Sequence, residues 1–429
     1  ILGNTRLTHG LRNVHGRAEM QKAHPEYYAL MGGERDIHSH GTGHACFSSD
    51  GLVDETANYA RAVFDHFDAP LVQLSPQDGF QQCECEDCAP MSPSDNVFTF
   101  LDQVARKVHE THPDRIILSA GYTSYRDPPE AIDQFSPNFA ISINNMGRPR
   151  FGDTDYWNHY MDLVKSWEQK LAPNRIIRVE NTRYGADPVP VIHPRSIAKD
   201  LHAMKGRSLG ERNELHNERD LPGSTHLNQY VMGRYYWDAD QDIEVLLDEY
   251  YDLFYGPAAA EMKRAFHLAE SGLPTNKSAG ERLGWFDRRK EQLTLQIAFW
   301  ERVEKARETA GNTVYGERID ILLSEAPRPV EEVKAHLARL EEEGDPRASA
   351  PRAVAADAAS GSEPTKYHLV HARSGEEAEL ETTFTAVWKE GELVFDVHCR
   401  EPDMENLYAA RNVWGGDSVA ILLETPFHA

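Results

Sequence analysis

The sequence predicts an α/β fold: a (β/α)8 TIM-like barrel followed by a helical appendage and a C-terminal β-sandwich. Apolar runs of strand type alternate with amphipathic helices at first, which is typical of a parallel sheet closed into a barrel. A wholly helical stretch follows, and near the C-terminus the hydrophobic period falls to two, as in antiparallel strands. The predicted domains are the barrel at 1–240, a helical domain packed on it at 241–343, a linker at 344–364 and a short sandwich at 365–429.

The strands and helices of the predicted barrel alternate in order along the chain. The predicted strands are 44–48, 70–74, 115–120, 139–143 and 175–179. The predicted helices are 53–67, 94–111, 157–169, 194–204 and 228–237, in which apolar residues recur near a period of 3.6. Only about six or seven strands can be counted in this way, so the first unit of an eight-stranded barrel is expected before or within residues 1–40.

The helical appendage and the tail follow from two changes of pattern. Helices are predicted at 243–254, 258–268, 281–309 and 330–342. Residues 344–364 are rich in Ala, Ser and Pro, which favours a linker. In the tail, two alternating runs flank Lys389-Glu-Gly391, which predicts a hairpin of a β-sandwich.

The composition excludes some partners. The chain of 429 residues carries 69 Asp plus Glu against 45 Lys plus Arg, a net charge of −24, which repels a phosphate backbone and disfavours nucleic acid. No apolar run is long enough for a membrane span. No signal peptide is visible at Ile1. We expect that an upstream segment has been removed or left out, and we expect a secreted or periplasmic location; the oligomeric state is not predicted.

Four of the five cysteines are predicted to form one metal site. Cys83, Cys85 and Cys88 share one loop, and Cys46 ends the preceding predicted strand, so adjacent strands bring all four together. Four thiolates suffice for a tetrahedral zinc. The alternatives are two disulfides, which would be strained at this spacing, or free buried thiols. A closed structural site is favoured over a catalytic one in which Glu84 replaces a thiolate and frees a cysteine as nucleophile.

The loop that carries these thiols begins with an acid at a strand end. The run Leu71-Val-Gln-Leu-Ser-Pro-Gln-Asp-Gly79 is apolar, stops at a Ser-Pro turn signal and presents Asp78. In a barrel of alternating strands and helices, the loops after the strands hold the active site. Asp78 is therefore a candidate catalytic carboxylate.

Four segments together resemble a large bacterial family of uncharacterised glycosidase-like barrels. They are His24-Pro-Glu-Tyr, Ser75-Pro-Gln-Asp-Gly with the following Cys-x-Cys-x-x-Cys, Tyr230-Val-Met-Gly-Arg-Tyr-Tyr-Trp-Asp238, and Glu249-Tyr-Tyr-Asp-Leu-Phe-Tyr-Gly-Pro-Ala-Ala259. That family is similar to α-glucuronidase, β-N-acetylhexosaminidase and β-N-acetylgalactosaminidase barrels. The segments Pro402-Asp-Met404 and Val413-Trp-Gly-Gly-Asp-Ser-Val419 resemble a carbohydrate-binding module of the ninth family. The family's usual Asn before the acid is Gln77 here.

The resemblance implies an exo-acting glycoside hydrolase for a glycan or oligosaccharide, most readily a β-N-acetylgalactosaminide or related hexosaminide. Asp78 is the expected proton donor, since glycoside hydrolysis protonates the leaving oxygen. In a substrate-assisted retaining mechanism the substrate's own N-acetyl carbonyl is the nucleophile, and the Gln77 amide or a strand-end carboxylate orients it. Glu180 and Glu214 are the other candidates; a helix cap or an ion pair is the alternative for each acid.

Several side chains are predicted to contact sugar, because flat C–H faces pack on aromatic rings and hydroxyls need fixed polar partners. Ordinary loop packing is the alternative for each, and for His44 solvation among His24, His38 and His40. The predicted contacts are Asn144, Asn145, Tyr122, Tyr125, Trp157 and His44.

Two competing functions remain open in the sequence. An α-glucuronidase would need a cation for the uronate carboxylate, and Arg148, Arg150 and Arg183 are candidates. A non-catalytic carbohydrate-binding protein is the second, which the tail module favours.

Overall fold

The computed structural model describes residues 9–39, 42–144, 147–182, 189–215, 221–273, 285–344, 356–357, 366–368, 382–389 and 392–399. The chain divides into two compact units. The first unit contains residues 1–276 and 298–327, and the second contains residues 277–297 and 328–429.

The first unit is built on a five-stranded parallel sheet that curls into half of a barrel. A small hairpin, β1 (Leu30–Met31) and β2 (Glu34–Arg35), precedes it. The sheet strands, in sequence order and in spatial order alike, are β3 (Leu71–Gln73), β4 (Ile116–Gly121), β5 (Phe139–Asn144), β6 (Ile176–Thr182) and β7 (Ser208–Leu215). Each step from one strand to the next is parallel, as the alternation of strands and helices predicted.

The prediction of a complete (β/α)8 barrel is wrong. Among the described residues, the parallel sheet of the first unit has only five strands. The predicted strand 44–48 forms a single bridge, Tyr28 to Ala45, because its backbone bonds to the Tyr27–Ala29 segment instead of to the sheet. The edge of β3 is occupied by a non-strand segment: Leu11 N donates to Ser75 O at 3.3 Å.

The outer face of the sheet is covered by helices whose apolar faces form the main core. These helices are α3 (Asp50–Phe67), α4 (Pro93–His109), α5 (Thr154–Glu168) and α6 (Pro194–Met204), after two short N-terminal helices, α1 (Arg12–His15) and α2 (Ala18–Ala23). Two of them begin at polar caps: Ser92 accepts Asp95 N, and Asp153 accepts Tyr156 N. Val72, Ile117 and Ile141 pack in this core.

A further set of helices completes the first unit. They are α7 (Pro222–Trp237), α8 (Ile243–Tyr255), α9 (Ala259–Ser271) and α11 (Val314–Ser324), while α10 (Trp285–Ala310) runs across the division between the units. Glu325 caps α7 through its carboxylate, which accepts Gly223 N at 2.6 Å and Ser224 N at 2.8 Å. No helix in the described part of the chain is both long and apolar enough to cross a membrane.

The second unit contains α12 (Val330–Glu343), where Val333 and Leu340 pack with Leu293 of α10. It also contains β8 (Ala356–Asp357), β9 (Tyr367–His368), β10 (Thr382–Lys389) and β11 (Glu392–Cys399). The last two pair antiparallel, as their alternation predicted. The predicted β-sandwich is wrong for the described residues, because these strands form one small sheet. Most of the predicted linker 344–364 and of the tail lies outside the described residues, and the predicted domain boundaries stay predictions.

Candidate functional site

Asp78 lies in the loop that leaves the C-terminal end of β3. Gln73, Ser75 and Gln77 are buried at alternate positions before it, whereas the Asp78 side chain is 62% exposed. Gly79 N donates to Asp78 Oδ1 at 3.0 Å, and His9 Nε2 lies 3.9 Å from the same oxygen. His9 is itself held by a hydrogen bond of its Nδ1 to Pro76 O at 2.6 Å. A buried segment thus presents one carboxylate to solvent at the sheet's C-terminal end.

The loops after β3 and β4 meet beside this carboxylate. The rings of Phe80 and Tyr125 contact each other edge to face at 5.2 Å between centroids. Burial raises the pKa of Tyr125, and the neighbouring Tyr122 and the charge of Asp78 raise it further. Tyr125 is only 1% exposed, so its ring packs inside the protein against Phe80, whereas Tyr122 is half-buried. Of the two predicted sugar contacts here, Tyr122 is the accessible one.

Gln77 is buried, and its Nε2 donates to Thr42 Oγ1 at 2.8 Å. This hydrogen bond ties the Asp78 loop to the segment that precedes α3. The Gln77 amide, which the sequence analysis assigned to substrate orientation, therefore makes a hydrogen bond within the protein.

Glu180 lies far from solvent in a cluster of charged side chains between the outer face of the sheet and α6. Arg178 Nη2 lies 2.7 Å from Glu180 Oε2, and Arg148 Nε lies 3.8 Å from the same oxygen. Arg148 also pairs with Asp200 at 2.8 Å and with Glu211 at 2.5 Å. The side chains in all these pairs are at most 2% exposed. We call this set the buried charge network, and it does not bring Glu180 into contact with Asp78.

Opposite charges in this network stabilise the ionised forms of Glu211 and Arg148. Burial alone raises the pKa of Glu211, but Arg148 and Arg178 outweigh it and hold the pKa below its ordinary value. Burial likewise opposes the charge of Arg148, yet the carboxylates of Glu211 and Asp200 raise its pKa above the ordinary value. Nearby, burial and the charge of Arg148 together lower the pKa of His193 to about 3. Arg178 and Glu180, two charges on one face of an otherwise apolar strand, were the sequence signal for a buried ion pair.

The remaining predicted site residues are scattered. Asn144 ends β5 and is half-buried, Trp157 packs on Phe151 with Lys199 Nζ 4.4 Å above its ring, and His44 is buried. Glu214 pairs with Asn181 through its backbone in β7, and its side chain lies outside the described part. Asn145, Arg183 and His40 also lie outside the described residues.

The four predicted cysteines do lie together. The sulfur atoms of Cys46, Cys83, Cys85 and Cys88 are all within 4.8 Å of one another, and none is in a disulfide. Cys46 Sγ lies 3.6 Å from Cys83 Sγ and 3.8 Å from Cys85 Sγ. A tetrahedral metal with bonds of about 2.3 Å to sulfur separates its ligands by about 3.8 Å. The cluster therefore matches a four-thiolate metal site, and Cys85 is its only partly exposed member.

The surrounding groups donate hydrogen bonds to the sulfurs. Leu30 N donates to Cys83 Sγ at 3.2 Å, and Ser48 Oγ lies 3.4 Å from Cys85 Sγ. Contacts with the neighbouring thiols raise the pKa of Cys83, whereas contacts with Cys46 and Cys83 lower that of Cys88. A hydrogen-bond donor such as Leu30 N stabilises a thiolate, the form in which cysteine binds a metal.

Glu84 is placed outside the cluster. Its Oε2 accepts Gly32 N from the turn of the β1–β2 hairpin at 2.7 Å, and its own N–H donates to Leu30 O at 2.8 Å. The hairpin is thereby fixed on the cysteine loop. A carboxylate engaged in this way does not replace a thiolate as ligand, so the geometry fits a closed site of four sulfurs.

Residues 2–267 match a family described as Domain of unknown function (DUF4838). Since the match covers more than half of the chain, the chain belongs to this family. No curated protein matches the sequence.

Proposed function

We propose that the chain is an exo-acting glycoside hydrolase in which Asp78 protonates the oxygen of the leaving sugar. The observation that carries the proposal is the exposed carboxylate of Asp78 at the C-terminal end of β3, in a parallel sheet with helices on its outer face. Ligands of α/β sheets bind outside the carboxyl ends of the strands. A carboxylic acid there, open to solvent, can reach a glycosidic oxygen.

The proposed substrate is a β-N-acetylgalactosaminide or related hexosaminide, cleaved with retention by its own N-acetyl carbonyl. Among the described residues no second carboxylate contacts Asp78. A substrate-assisted mechanism needs only one protein carboxylate for proton transfer, which fits this arrangement. Gln77 Nε2 is bonded to Thr42, and Asn144 is a second candidate for orienting the N-acetyl group at the same end of the sheet.

The geometry favours this substrate over a glucuronide. Arg148 is fully buried with three carboxylates and has no charge to offer a uronate. Arg150 stacks on Tyr156 at 4.1 Å from its ring centroid. Arg183, the third candidate cation, lies outside the described residues. The contacts of Arg148 and Arg150 favour the neutral hexosaminide as the proposal, and a uronate substrate is an outcome of the test.

A panel of nitrophenyl glycosides tests the function. The purified protein is expected to release nitrophenol from a β-N-acetylhexosaminide, and Asp78→Asn is expected to lose most of this activity. The matched control is Asp68→Asn, an exposed acid at the opposite end of β3 in left-handed backbone, a conformation that Asn tolerates. If only a glucuronide is hydrolysed, the proposed substrate is wrong and the chain is a glucuronidase. If glycan is bound without any hydrolysis, the chain is a carbohydrate-binding protein.

For the cysteine cluster we propose a structural zinc. Four sulfur ligands select a soft, tetrahedral metal, and zinc is the usual occupant of such a closed site. Bound zinc would tie Cys46, before α3, to the loop that carries Asp78. Elemental analysis of the purified protein is expected to give one zinc per chain. Absence of metal together with two disulfides by mass spectrometry would overturn the assignment.

A further inference from the structure

The two faces of the half-barrel sheet differ in what they carry. On the outer face, Val72 and Ile117 belong to the core beneath the helices. On the inner face, Leu71, Leu118 and Ala140 form a separate small apolar cluster. Because strand side chains alternate between faces, Gln73 shares the inner face with Leu71. By the same alternation, Asn144 shares it with Ala140.

Three of the four residues in the next row of the inner face have a small side chain or none. Ala120 of β4 pairs with Ser142 of β5, and the row continues through Ile177, which packs against the apolar cluster, to Gly210 of β7. A Cβ added at Gly210 would meet nothing within 4 Å, so the space over this end of the row is open. A closed barrel fills its interior with bulky branched residues. Here Ala120, Ser142 and Gly210 leave most of the row shallow, and we call this part of the inner face the floor.

Two buried oxygens on this face have no protein partner. Gln73 is 6% exposed, and its Nε2 donates to Ser75 Oγ at 2.9 Å, yet its Oε1 has no hydrogen bond among the described residues. Asn144 Oδ1 is likewise buried and unbonded in the described part of the chain. If the Gln73 amide were turned over, its nitrogen would be the unpaired atom instead. A buried polar atom without a partner has lost its hydrogen bonds to water and gained none in return, so such atoms call for an explanation.

We infer that the inner face is a sugar-binding floor on which the amides of Gln73 and Asn144 receive hydroxyl or N-acetyl N–H donors of the bound glycan. The inference rests on the proposed function and adds the residues that read the substrate. A pyranose offers several hydroxyl donors at fixed angles, and each amide oxygen accepts up to two of them. The contact is direct or runs through one ordered water, because both oxygens lie below the surface. Gln73 is then a specificity-determining residue two positions before Ser75 and five before Asp78.

The test measures sugar binding separately from catalysis. Dissociation constants of N-acetylgalactosamine and N-acetylglucosamine are measured by calorimetry for the wild type, Gln73→Met and Gln73→Glu, together with KM and kcat on the active nitrophenyl glycoside. Gln73→Met removes the acceptor at similar size and is expected to weaken binding and raise KM at least tenfold. Gln73→Glu keeps an acceptor oxygen and is expected to retain binding.

Ser119→Ala is the matched control. Ser119 Oγ is also buried and unbonded among the described residues, but it alternates onto the outer face. Its loss is expected to leave binding unchanged. The melting temperature of Gln73→Met is expected to stay within a few degrees of the wild type, because the substitution removes one hydrogen bond and one unpaired oxygen together.

The outcomes separate the two proposals. Unchanged binding and KM in Gln73→Met, in an enzyme that hydrolyses its substrate, would overturn the floor and leave the proposed function standing. Tenfold weaker binding in Gln73→Met, with full hydrolysis by Asp78→Asn, would support the floor and remove Asp78 as the acid. A wild type that hydrolyses the glycoside but binds neither sugar would overturn the floor alone, and one that neither binds nor hydrolyses would overturn both.

Discussion

Replacing Arg148 with Met is expected to destabilise the first unit strongly. Arg148 is 0% exposed and contacts Asp200, Glu211 and Glu180. Two guanidiniums and three carboxylates make up the buried charge network, so its net charge is one negative. Without Arg148 the same space holds two net negative charges with Arg178 as the only described cation of the network.

The expected cost follows from removing one partner of a buried ion pair, which is about 3–5 kcal/mol of unfolding free energy. Met restores part of the apolar volume but none of the charge. An exposed pair is worth about 1 kcal/mol or less. Arg264→Met is therefore the control, since Arg264 is 57% exposed and its partner Glu261 keeps Lys305 at 3.2 Å.

Urea titrations at several pH values measure both variants. Arg148 helps to depress the pKa of Glu211, so the stability that this pair contributes is present above the ordinary carboxylate pKa and is lost as the pH falls through the depressed value. The deficit of Arg148→Met should be largest near neutral pH and should shrink in acid, where protonation relieves the unpaired carboxylates. A loss no larger than that of Arg264→Met, or one independent of pH, would refute this account of the network.

Three further outcomes are expected. Cys83→Ser should lose the metal and lower the melting temperature as a strong chelator does, whereas Cys399→Ser should keep the metal, as elemental analysis and thermal melts would show. The pKa of His193, about 3, lies below its value in the unfolded chain. The unfolding free energy of the wild type should therefore fall by about 1.4 kcal/mol per pH unit as the pH drops from about 6.5 towards 3. His193→Asn should flatten that slope in urea titrations. Gly10→Ala should lower the unfolding free energy by about 1–3 kcal/mol, because a Cβ there collides with the backbone oxygen of Gln73. Gly152→Ala is the control and should change the unfolding free energy little, because a Cβ there meets nothing within 4 Å.

The sequence predicts strands and helices well where one face is apolar. The strands β3 to β6 and their helices lie within a few residues of their predicted positions, because buried apolar runs and the 3.6 period report directly on burial. The strand β7 lacks that signal: it is an edge strand of polar residues such as Glu211 and Arg212. Closure of the barrel was wrongly predicted, because alternation predicts parallel pairing but not how many strands join the sheet.

The site was predictable where its residues share one loop. Cys83, Cys85 and Cys88 are close in sequence, so only Cys46 required an assumption about the fold. The four do cluster, but Cys46 lies in a segment that bonds to Tyr27–Ala29 and not, as assumed, on a strand of the sheet. The buried charge network was missed as a whole, since Asp200 and Glu211 come from separate elements whose packing no local pattern encodes. The amide of Gln73 was also missed, because it lies in an apolar run and the sequence does not show that its oxygen is buried without a partner.

The dependence of hydrolysis on the leaving group tests the central claim most directly. The claim is that Asp78 donates a proton to the departing sugar oxygen. For Asp78→Asn, the logarithm of kcat/KM should fall steeply as the pKa of the leaving phenol rises, while the wild type stays nearly level, because only poor leaving groups need protonation. If Asp78→Asn instead follows the wild type with an equal or absent loss for every leaving group, Asp78 is not the acid.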